Sequence, residues 1–258
     1  MAEAAIRVER RGGVVRCTLD RPPLNLFEPG LIAALRTTFE TLAADATVRV
    51  VVLTGAGRAF TGGMNVHVLR DLDAAGATAL ITSLHDAIDV VHRAPFPVVA
   101  AVNGHALGAG FELVIACDLR VAAAEATFGL PEVRVGVPSV IQAALLPPLV
   151  GPARAADLLL TGQTIDAERA LAWGLVNRVV ARADLDAAVD AVVEAITACA
   201  PGAVRLQKQL IVRWRETDLT SAVRAGIAAF AAAYATGEPR EGATAFLEKR
   251  PPRFGEPR

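Results

Sequence analysis

Aromatic residues, lysine and cysteine are all scarce in this chain of 258 residues. Aromatics make up 5% of it, so the core must be built mainly from alanine, valine, leucine and isoleucine within a hydrophobic fraction of 53%. Lys208 and Lys249 are the only lysines among 26 basic residues, the net charge is −1, and no basic run occurs. Because nucleic-acid binding needs a concentrated positive surface, we do not expect nucleic acid as a partner.

The few cysteines and the interrupted apolar runs favour a particular cellular compartment. Cys17, Cys117 and Cys199 are odd in number, far apart and without metal-ligand spacing, which favours reduced, buried thiols and no metal site. Residues 1–7 lack the apolar run of a secretory signal. Proline, glycine or charge interrupts each apolar stretch before it reaches membrane-spanning length. We therefore expect a cytoplasmic protein with no membrane partner.

Short apolar strands alternate with helices along the first part of the chain. The run 48–54 is β-branched and apolar on both faces, which is typical of a parallel strand covered on both sides. Repetition of strand and helix favours an α/β domain with right-handed crossovers. Glycines at 12–13 predict a hairpin. The predicted strands are 6–10, 14–19, 48–54, 97–102, 118–123 and 175–180, and the predicted helices are 31–42, 74–92, 107–116, 140–149, 152–160, 167–173 and 184–198.

Pro201 and Gly202 mark the best candidate boundary between two regions, 1–200 and 201–258. Beyond it the sequence predicts three further helices, at 203–216, 219–234 and 238–248. The middle helix carries apolar residues all around its circumference. Such a helix must be buried against something, and another subunit is the predicted partner.

Two glutamates, Glu112 and Glu132, are the strongest candidates for chemistry. Each lies in apolar, tightly turned sequence, where a charge is costly unless it has a function or a partner. Two carboxyl groups held close together cannot both ionise cheaply, so their pKa values are pushed apart, and the pair supplies one acid and one base. The alternative is that each glutamate only stabilises the start of a helix through the helix dipole.

Two glycine-rich loops, 53–65 and 103–110, follow the buried strands, and ligands collect at the carboxyl ends of parallel strands. Neither loop fits a dinucleotide site, because Phe60 and Leu113 stand where the third glycine is required, and neither ends as a P-loop does. The better interpretation is an oxyanion hole built from the backbone N–H groups of Met64 and Ala109. The alternative is that the glycines only serve tight turns.

Five segments resemble the enoyl-CoA hydratase/isomerase (crotonase) family. They are residues 59–65, 100–112, 117–118, 131–136 and 237–250, and they follow the family's order over nearly the whole chain. The resemblance implies an α/β fold, a crotonase-like spiral of ββα units with an acyl-CoA site in residues 1–200. It implies that the helical region 201–258 builds a homotrimer, often as a dimer of trimers. It also implies an acyl-CoA thioester as substrate, its carbonyl held by the N–H groups of Met64 and Ala109.

The resemblance further implies an enoyl-CoA hydratase, which adds water across the double bond of a 2-enoyl-CoA. Family hydratases use both glutamates, and the one matching Glu132 is linked with protonating the α-carbon, whereas family isomerases usually keep only that second one. No cofactor is expected apart from the coenzyme A of the substrate. Residues 137–146 lack the glycine pair and the Gln-Arg pattern of standard hydratases, which leaves isomerase and acyl-CoA hydrolase as alternatives. A non-catalytic acyl-CoA-binding or assembly protein is the alternative of another class.

The remaining candidates are contacts to the substrate. Arginine forks suit phosphate oxygens, which makes basic residues near the loops natural partners for coenzyme A. His105 and Gln142 are considered as further pocket residues, with a structural histidine and a helix-surface glutamine as the alternatives. The predicted substrate-binding and CoA-binding positions are Arg21, Leu24, Ala59, Gly63, Asn65, Val66, Gly108 and Lys249.

Overall fold

The computed structural model, which describes residues 5–254, contains two β-sheets. The strands of the larger sheet are β1 (Ile6–Arg11), β2 (Val14–Leu19), β3 (Val50–Gly55), β5 (Val98–Val102), β7 (Leu119–Ala123) and β10 (Arg178–Val180). They lie in the order β1-β2-β3-β5-β7-β10. Strands β1 and β2 form the predicted hairpin, and every later pair is parallel. The predicted α/β class with a parallel sheet is confirmed.

The smaller sheet holds strands of three residues that the sequence patterns did not reveal. These are β4 (Ala59–Thr61), β6 (His105–Leu107), β8 (Thr127–Gly129) and β9 (Thr164–Asp166), in the order β4-β6-β8-β9. Strands β4, β6 and β8 each follow a strand of the larger sheet within a few residues, and each precedes a helical segment. The chain therefore winds as a spiral of ββα units, as the family resemblance implies.

Eleven α-helices occur within the described residues. They are α1 (Pro29–Ala44), α2 (Val66–Arg70), α3 (Ala74–His92), α4 (Ala109–Ala116), α5 (Leu146–Val150), α6 (Pro152–Thr161), α7 (Ala167–Ala172), α8 (Leu185–Thr197), α9 (Pro201–Trp214), α10 (Leu219–Ala233) and α11 (Glu238–Leu247). Four 3-10 helices lie at Pro131–Val135, Gln142–Leu145, Arg182–Asp184 and Tyr234–Thr236.

Most predicted elements match the observed ones within two residues at each end, with the differences that follow. The helix predicted at 140–149 is a 3-10 turn followed by the short α5, because Pro147 and Pro148 are tolerated only in a first helical turn. Helix α4 begins at Ala109 rather than at Leu107, which belongs to β6. The strand predicted at 175–180 is reduced to the last three residues.

The core lies on both faces of the larger sheet, as the sequence of β3 requires. Val51 and Leu53 pack on the face covered by α1, α3 and α4. Val50 and Val52 pack on the other face, against Leu185, Val189, Val192 and Val193 of α8. Half of the twelve aromatic side chains lie in this interior. Six phenylalanines are fully buried: Phe27, Phe39, Phe60, Phe96, Phe111 and Phe128.

The three C-terminal helices present two different surfaces. Helix α9 is tied to the core by Lys208, whose Nζ lies 2.6 Å from Asp118 Oδ1 although the lysine is only 3% exposed. Helix α10 instead exposes large apolar side chains to solvent, which a single chain leaves uncovered. They are Leu219, Val223, Ile227 and Phe230, followed by Tyr234 just beyond the helix. The division at residue 200 and the trimer stay predictions.

The three cysteines occupy different environments. Cys17 and Cys117 are buried, and burial raises the pKa of both thiols to about 12. Cys199 is exposed between α8 and α9, so the expectation of a buried thiol is wrong for this residue. Connections between helices usually run over the protein surface, so few neighbouring atoms shield the short side chain of Cys199 from solvent.

Within residues 5–254, no single helix is both long enough and apolar enough to cross a bilayer. The pair Arg182–Thr197 and Pro201–Trp214, bent by 106°, meets that test by length and composition only.

Candidate active site

The first glycine loop turns the backbone N–H group of Met64 away from its bridge partner, Phe27. Phe27 N–H donates to Gly63 O at 2.8 Å and Asn65 N–H donates to Phe27 O at 3.0 Å, which makes Met64 the paired residue of an isolated parallel bridge. In such a bridge the N–H of the middle residue points to the opposite side. Gly63 has φ +89° and packs on β6 so closely that a Cβ would lie 2.6 Å from Leu107 O. The loop is therefore fixed with Met64 N–H directed away from Phe27.

The second glycine loop presents the N-terminus of α4. Ala109 is the first residue of that helix, so its N–H has no acceptor within the helix. Gly108, with φ +55°, precedes it and donates its own N–H to Gly129 O at 2.9 Å. Every residue of α4 is buried, and the dipole of the helix makes its N-terminus, at Ala109, favourable for negative charge.

Both loops open onto one cavity of about 450 Å³. It contains both candidate glutamates and both candidate N–H donors, and the rest of its wall is mainly apolar. Of the residues predicted from the sequence, it brings together Gly63, Met64, Val66, Gly108, Ala109, Glu112 and Glu132. Apolar side chains from α2 and α3 form one side of the wall: Val66, Leu69, Ala77, Leu80, Ile81 and Leu84, with Leu72 between the two helices.

Glu112 lies in the first turn of α4, and a backbone hydrogen bond of the helix fixes its position. Its N–H donates to Gly108 O at 3.0 Å, its residue exposure is 2%, and its Oε2 atom has no hydrogen-bond partner. Burial raises the pKa of Glu112 to about 8, and the negative charge of Glu132 adds to that rise. Backbone N–H groups of residues 141–143 act in the opposite direction but do not outweigh burial.

Glu132 is half-buried and lies on the 3-10 helix Pro131–Val135. Ser139 Oγ donates to its Oε2 atom at 2.7 Å. The Oε1 atom lies against Gly108, where a Cβ would come within 2.6 Å of it. Burial raises the pKa of Glu132, and the hydroxyl of Ser139 limits that rise because it stabilises the ionised form.

The two carboxyl groups behave electrostatically as a pair. Each is desolvated, and the charge of Glu132 disfavours ionisation of Glu112. Two interacting carboxyls of this kind titrate as a unit and hold one proton between them over part of the pH range. The cavity thus combines a proton donor, a proton acceptor and two N–H groups suited to a developing oxyanion.

Three other predicted binding residues surround the first loop without lining the cavity. Asn65 caps α2, since its side chain accepts from His67 N–H at 3.0 Å and donates to Glu28 Oε1 at 2.6 Å. Ala59 is fully buried in β4, and its carbonyl accepts from the side chain of Asn25 at 3.0 Å. Leu24 accepts through its carbonyl from the N–H of Gly62 at 2.8 Å, next to the loop.

Arg21 and Lys249 are exposed, and neither lines the cavity. Arg21 donates to the carbonyl of Asp20 at 2.8 Å. Lys249 follows α11 in a left-handed conformation, with φ +53°. Their roles in binding coenzyme A stay predictions.

Sequence reasoning missed the contact of Ser139 with Glu132 and misplaced Gln142. Gln142 is buried rather than on a helix surface, and its Nε2 lies 3.1 Å from His85 Nδ1 on α3. His105 is exposed, pairs with Thr127 Oγ1 at 2.7 Å and does not line the cavity. A serine in an aperiodic loop gives no pattern from which its partner, seven residues away, could be inferred.

Comparisons with known proteins identify the family of this chain. The family model for enoyl-CoA hydratase/isomerase matches residues 9–257. Crotonyl-CoA hydratase of Syntrophomonas wolfei is 34% identical over 257 residues, which cover 98% of this chain and 99% of the relative. Short-chain-enoyl-CoA hydratase of Clostridium acetobutylicum is 33% identical over 94% of each chain. The crystal structure of enoyl-CoA hydratase from Mycobacterium smegmatis has a TM-score of 0.95 and 36% identity, covering 98% of this chain and 100% of the other.

This chain belongs to the enoyl-CoA hydratase/isomerase family and is an enzyme of that type. The match extends over nearly the full length of the relatives, so the whole spiral and the C-terminal helices are shared. The alternative of a non-catalytic assembly protein loses its support here.

Proposed function

We propose that the protein adds water across the double bond of a 2-enoyl-CoA thioester. The observation that carries this proposal is the convergence of Glu112 and Glu132 on the cavity that Met64 and Ala109 also line. Hydration needs one group to take a proton from water and one to return a proton to carbon. A pair of carboxyls that share one proton meets both needs without another ionisable group.

The reaction builds negative charge on the thioester oxygen as water adds to the β-carbon. The N–H groups of Met64 and Ala109 hold that oxygen, and each such donor is worth about 3 kcal/mol of barrier because it favours the enolate over the substrate. The ionised carboxyl takes a proton as the new C–O bond forms. The protonated carboxyl, assigned to Glu132 for this step, gives its proton to the α-carbon. The pair ends with the same number of protons as it began.

The substrate class follows from the walls of the cavity. Apart from the glutamates, Arg134, Thr78 and Ser139, its lining side chains are apolar. An apolar acyl chain would bury its surface there, at roughly 0.8 kcal/mol per methylene. Coenzyme A would remain outside, where Arg21 and Lys249 are the proposed partners of its phosphates. No cofactor beyond the substrate's own coenzyme A enters this proposal.

The test is a mass-spectrometric screen of the purified protein against 2-enoyl-CoA and 3-enoyl-CoA esters of increasing chain length. We expect 2-enoyl esters with apolar chains to gain the mass of one water. A product of unchanged mass with a shifted double bond would favour the isomerase alternative, and release of free coenzyme A would favour the hydrolase. Failure of every ester to react would contradict the proposal.

We also propose that α10 forms the contact of a homotrimer or a dimer of trimers. Its exposed side chains include Ile227 (67% exposed) and Phe230 (70%), a surface that single soluble chains rarely leave uncovered. Light scattering should report a trimer or hexamer for the wild type, and Phe230→Asp should shift the mass toward the single chain. A monomeric wild type would contradict this assignment.

A further inference from the structure

Ser139 lies in the exposed segment between two 3-10 helices, Pro131–Val135 and Gln142–Leu145. Its neighbours Pro138 and Val140 are exposed, but Ser139 is half-buried and lines the cavity. Its hydroxyl donates to Glu132 Oε2 at 2.7 Å, the length of a good O–H···O⁻ bond. Among the side chains of residues 5–254, no other one hydrogen-bonds to either glutamate.

This contact makes the two oxygens of Glu132 unequal. Oε2 accepts from a protein hydroxyl, whereas Oε1 lies beside Gly108, the residue that immediately precedes Ala109. A serine hydroxyl has a single proton, and it is committed to Oε2. A proton carried by Glu132 is therefore held on Oε1, on the side of the cavity where α4 begins.

We propose that Ser139 is a positioning residue, which fixes Glu132 Oε2 as a hydrogen-bond acceptor and leaves Oε1 as the atom that exchanges protons with the substrate. This inference rests on the proposed hydration reaction for its catalytic meaning. In that reaction the O–H bond of the attacking water breaks toward one carboxylate, and the Oε1–H bond of Glu132 breaks as the C–H bond forms at the α-carbon. Ser139 keeps its own proton throughout and forms no covalent bond.

The hydroxyl also affects how the shared proton is distributed. The other titratable groups that line the cavity are Glu112 on α4 and Arg134 on the same 3-10 helix, whose Nε donates to Thr161 O at 3.2 Å. Glu112 is more deeply buried and has no side-chain donor, so it holds the proton more tightly. Ser139 favours the ionised form of Glu132. Together they make Glu132 the member that ionises first as pH rises, so the singly protonated pair holds its proton mainly on Glu112, and the proposed step starts from the minor form in which Glu132 Oε1 holds it.

The experiment compares the wild type with Ser139→Ala and Ser139→Thr. Removing the donor disfavours ionised Glu132, so the first deprotonation of the pair, which sets the acid limb of the kcat/KM profile, should move up by about one pH unit in Ser139→Ala. We expect kcat to fall about tenfold or more while KM changes less than threefold. Ser139→Thr keeps a hydroxyl and should restore the acid limb. Thr47→Val is the matched control, because Thr47 Oγ1 also donates to a carboxylate, Asp45 Oδ1, at 2.5 Å, in the connection between α1 and β3 and away from the cavity.

A second readout does not depend on any substrate. Titration of the ¹³C-labelled Glu132 carboxyl by NMR, assigned with Glu132→Gln, should give a higher midpoint in Ser139→Ala than in the wild type. An unchanged midpoint, or an unmoved acid limb with only a lower melting temperature, would overturn the inference and leave the hydratase proposal intact. A shifted midpoint in a protein that hydrates no ester would instead support the contact while contradicting the proposed function.

Discussion

Glu112 and Glu132 share a cavity, but the two regions that carry them differ in almost every respect. Helix α4 is buried along its whole length, and Glu112 is held there by its main chain. The segment 131–140 forms another part of the cavity wall, yet most of it is exposed, and Val135 and Val140 are 58% and 52% exposed. One carboxyl is thus fixed by the core of the fold, and the other by a few local contacts.

The difference indicates how a common fold can be adapted to different substrates. A change in α4 must be accommodated by surrounding core packing, which is close-packed and costly to alter. A change in residues 133–140 meets mostly solvent on its outer side, so its stability cost is small. One of the chain's departures from the pattern of standard hydratases, at residues 137–146, overlaps this second region, where Ser139 supplies a contact to Glu132.

The most severe test removes each carboxyl in turn. We expect Glu112→Gln and Glu132→Gln each to lower kcat for 2-enoyl-CoA by about 10²–10⁴-fold, because each amide can neither take nor give the required proton. Steady-state kinetics on the best ester of the screen measures this. Glu125→Gln, at an exposed glutamate between β7 and β8, is the matched control and should retain wild-type turnover. Full activity in Glu112→Gln alone would indicate that the buried region takes no part in proton transfer.

The next largest effect on turnover is expected at Gly108, where the region of α4 contacts Glu132. In Gly108→Ala the new Cβ would lie 2.6 Å from Glu132 Oε1, so the carboxyl must move, and φ +55° is unfavourable for alanine. We expect kcat to fall about 10- to 100-fold, since small misplacements of reacting groups have effects of this size. Gly12→Ala is the matched control. It places alanine at an equally unfavourable φ of +59°, but its new Cβ would have no atom within 4 Å. Equal kinetics in the two variants would contradict a contact between Gly108 and Glu132.

The buried region was also the easier one to predict from the sequence. Helix α3 matches its predicted bounds, 74–92, because a long periodic pattern defines a helix locally. The burial of β3 on both faces was evident from its β-branched run. The three-residue strands β4, β6, β8 and β9 were missed because their pairing partners are distant in sequence, and three residues carry no measurable alternation.

The site was predictable to the extent that glycines and glutamates mark it. The position of Glu112 behind Gly108 and Ala109 follows from one continuous segment, and so does the free N–H at the start of α4. The exposed wall was less accessible to sequence reasoning. Because of Pro147 and Pro148, the segment 140–149 does not form the single helix that was predicted, and Gln142 is buried instead of lying on a helix surface. The contact of the Ser139 hydroxyl with Glu132 depends on a loop conformation that no periodic pattern defines.

The two glutamates should also differ in how much they make the free energy of unfolding depend on pH. Burial raises the pKa of Glu112 in the folded protein to about 8, above its ordinary value of 4.5, so between pH 4.5 and pH 8 the carboxyl is protonated in the folded protein but ionised in the unfolded one. The stability it contributes is fully present below pH 4.5 and is lost as pH rises through 8. Glu112→Gln should therefore gain stability relative to the wild type from pH 5 to pH 8, on the order of a few kcal/mol.

Denaturant unfolding at several pH values measures that change. Glu132→Gln should show the same sign with a smaller amplitude, because Glu132 is less buried and receives the hydroxyl of Ser139. If the pH-dependent change in the free energy of unfolding were larger for Glu132→Gln than for Glu112→Gln, Glu132 and not Glu112 would be the more strongly desolvated carboxyl.

The smallest expected effect concerns the apolar side chains of the exposed wall. Val140 lines the cavity but is 52% exposed, so Val140→Ala should change the free energy of unfolding by no more than about 0.5 kcal/mol. Its loss should still raise KM a few-fold for long enoyl-CoA esters, because apolar contact with the chain is removed. Leu84→Ala, in the buried wall of α3, should cost about 2–5 kcal/mol of stability. If both variants lost stability equally, residues 131–140 would be as much a part of the core as α3, and chain-length preference could not be altered there independently of the fold.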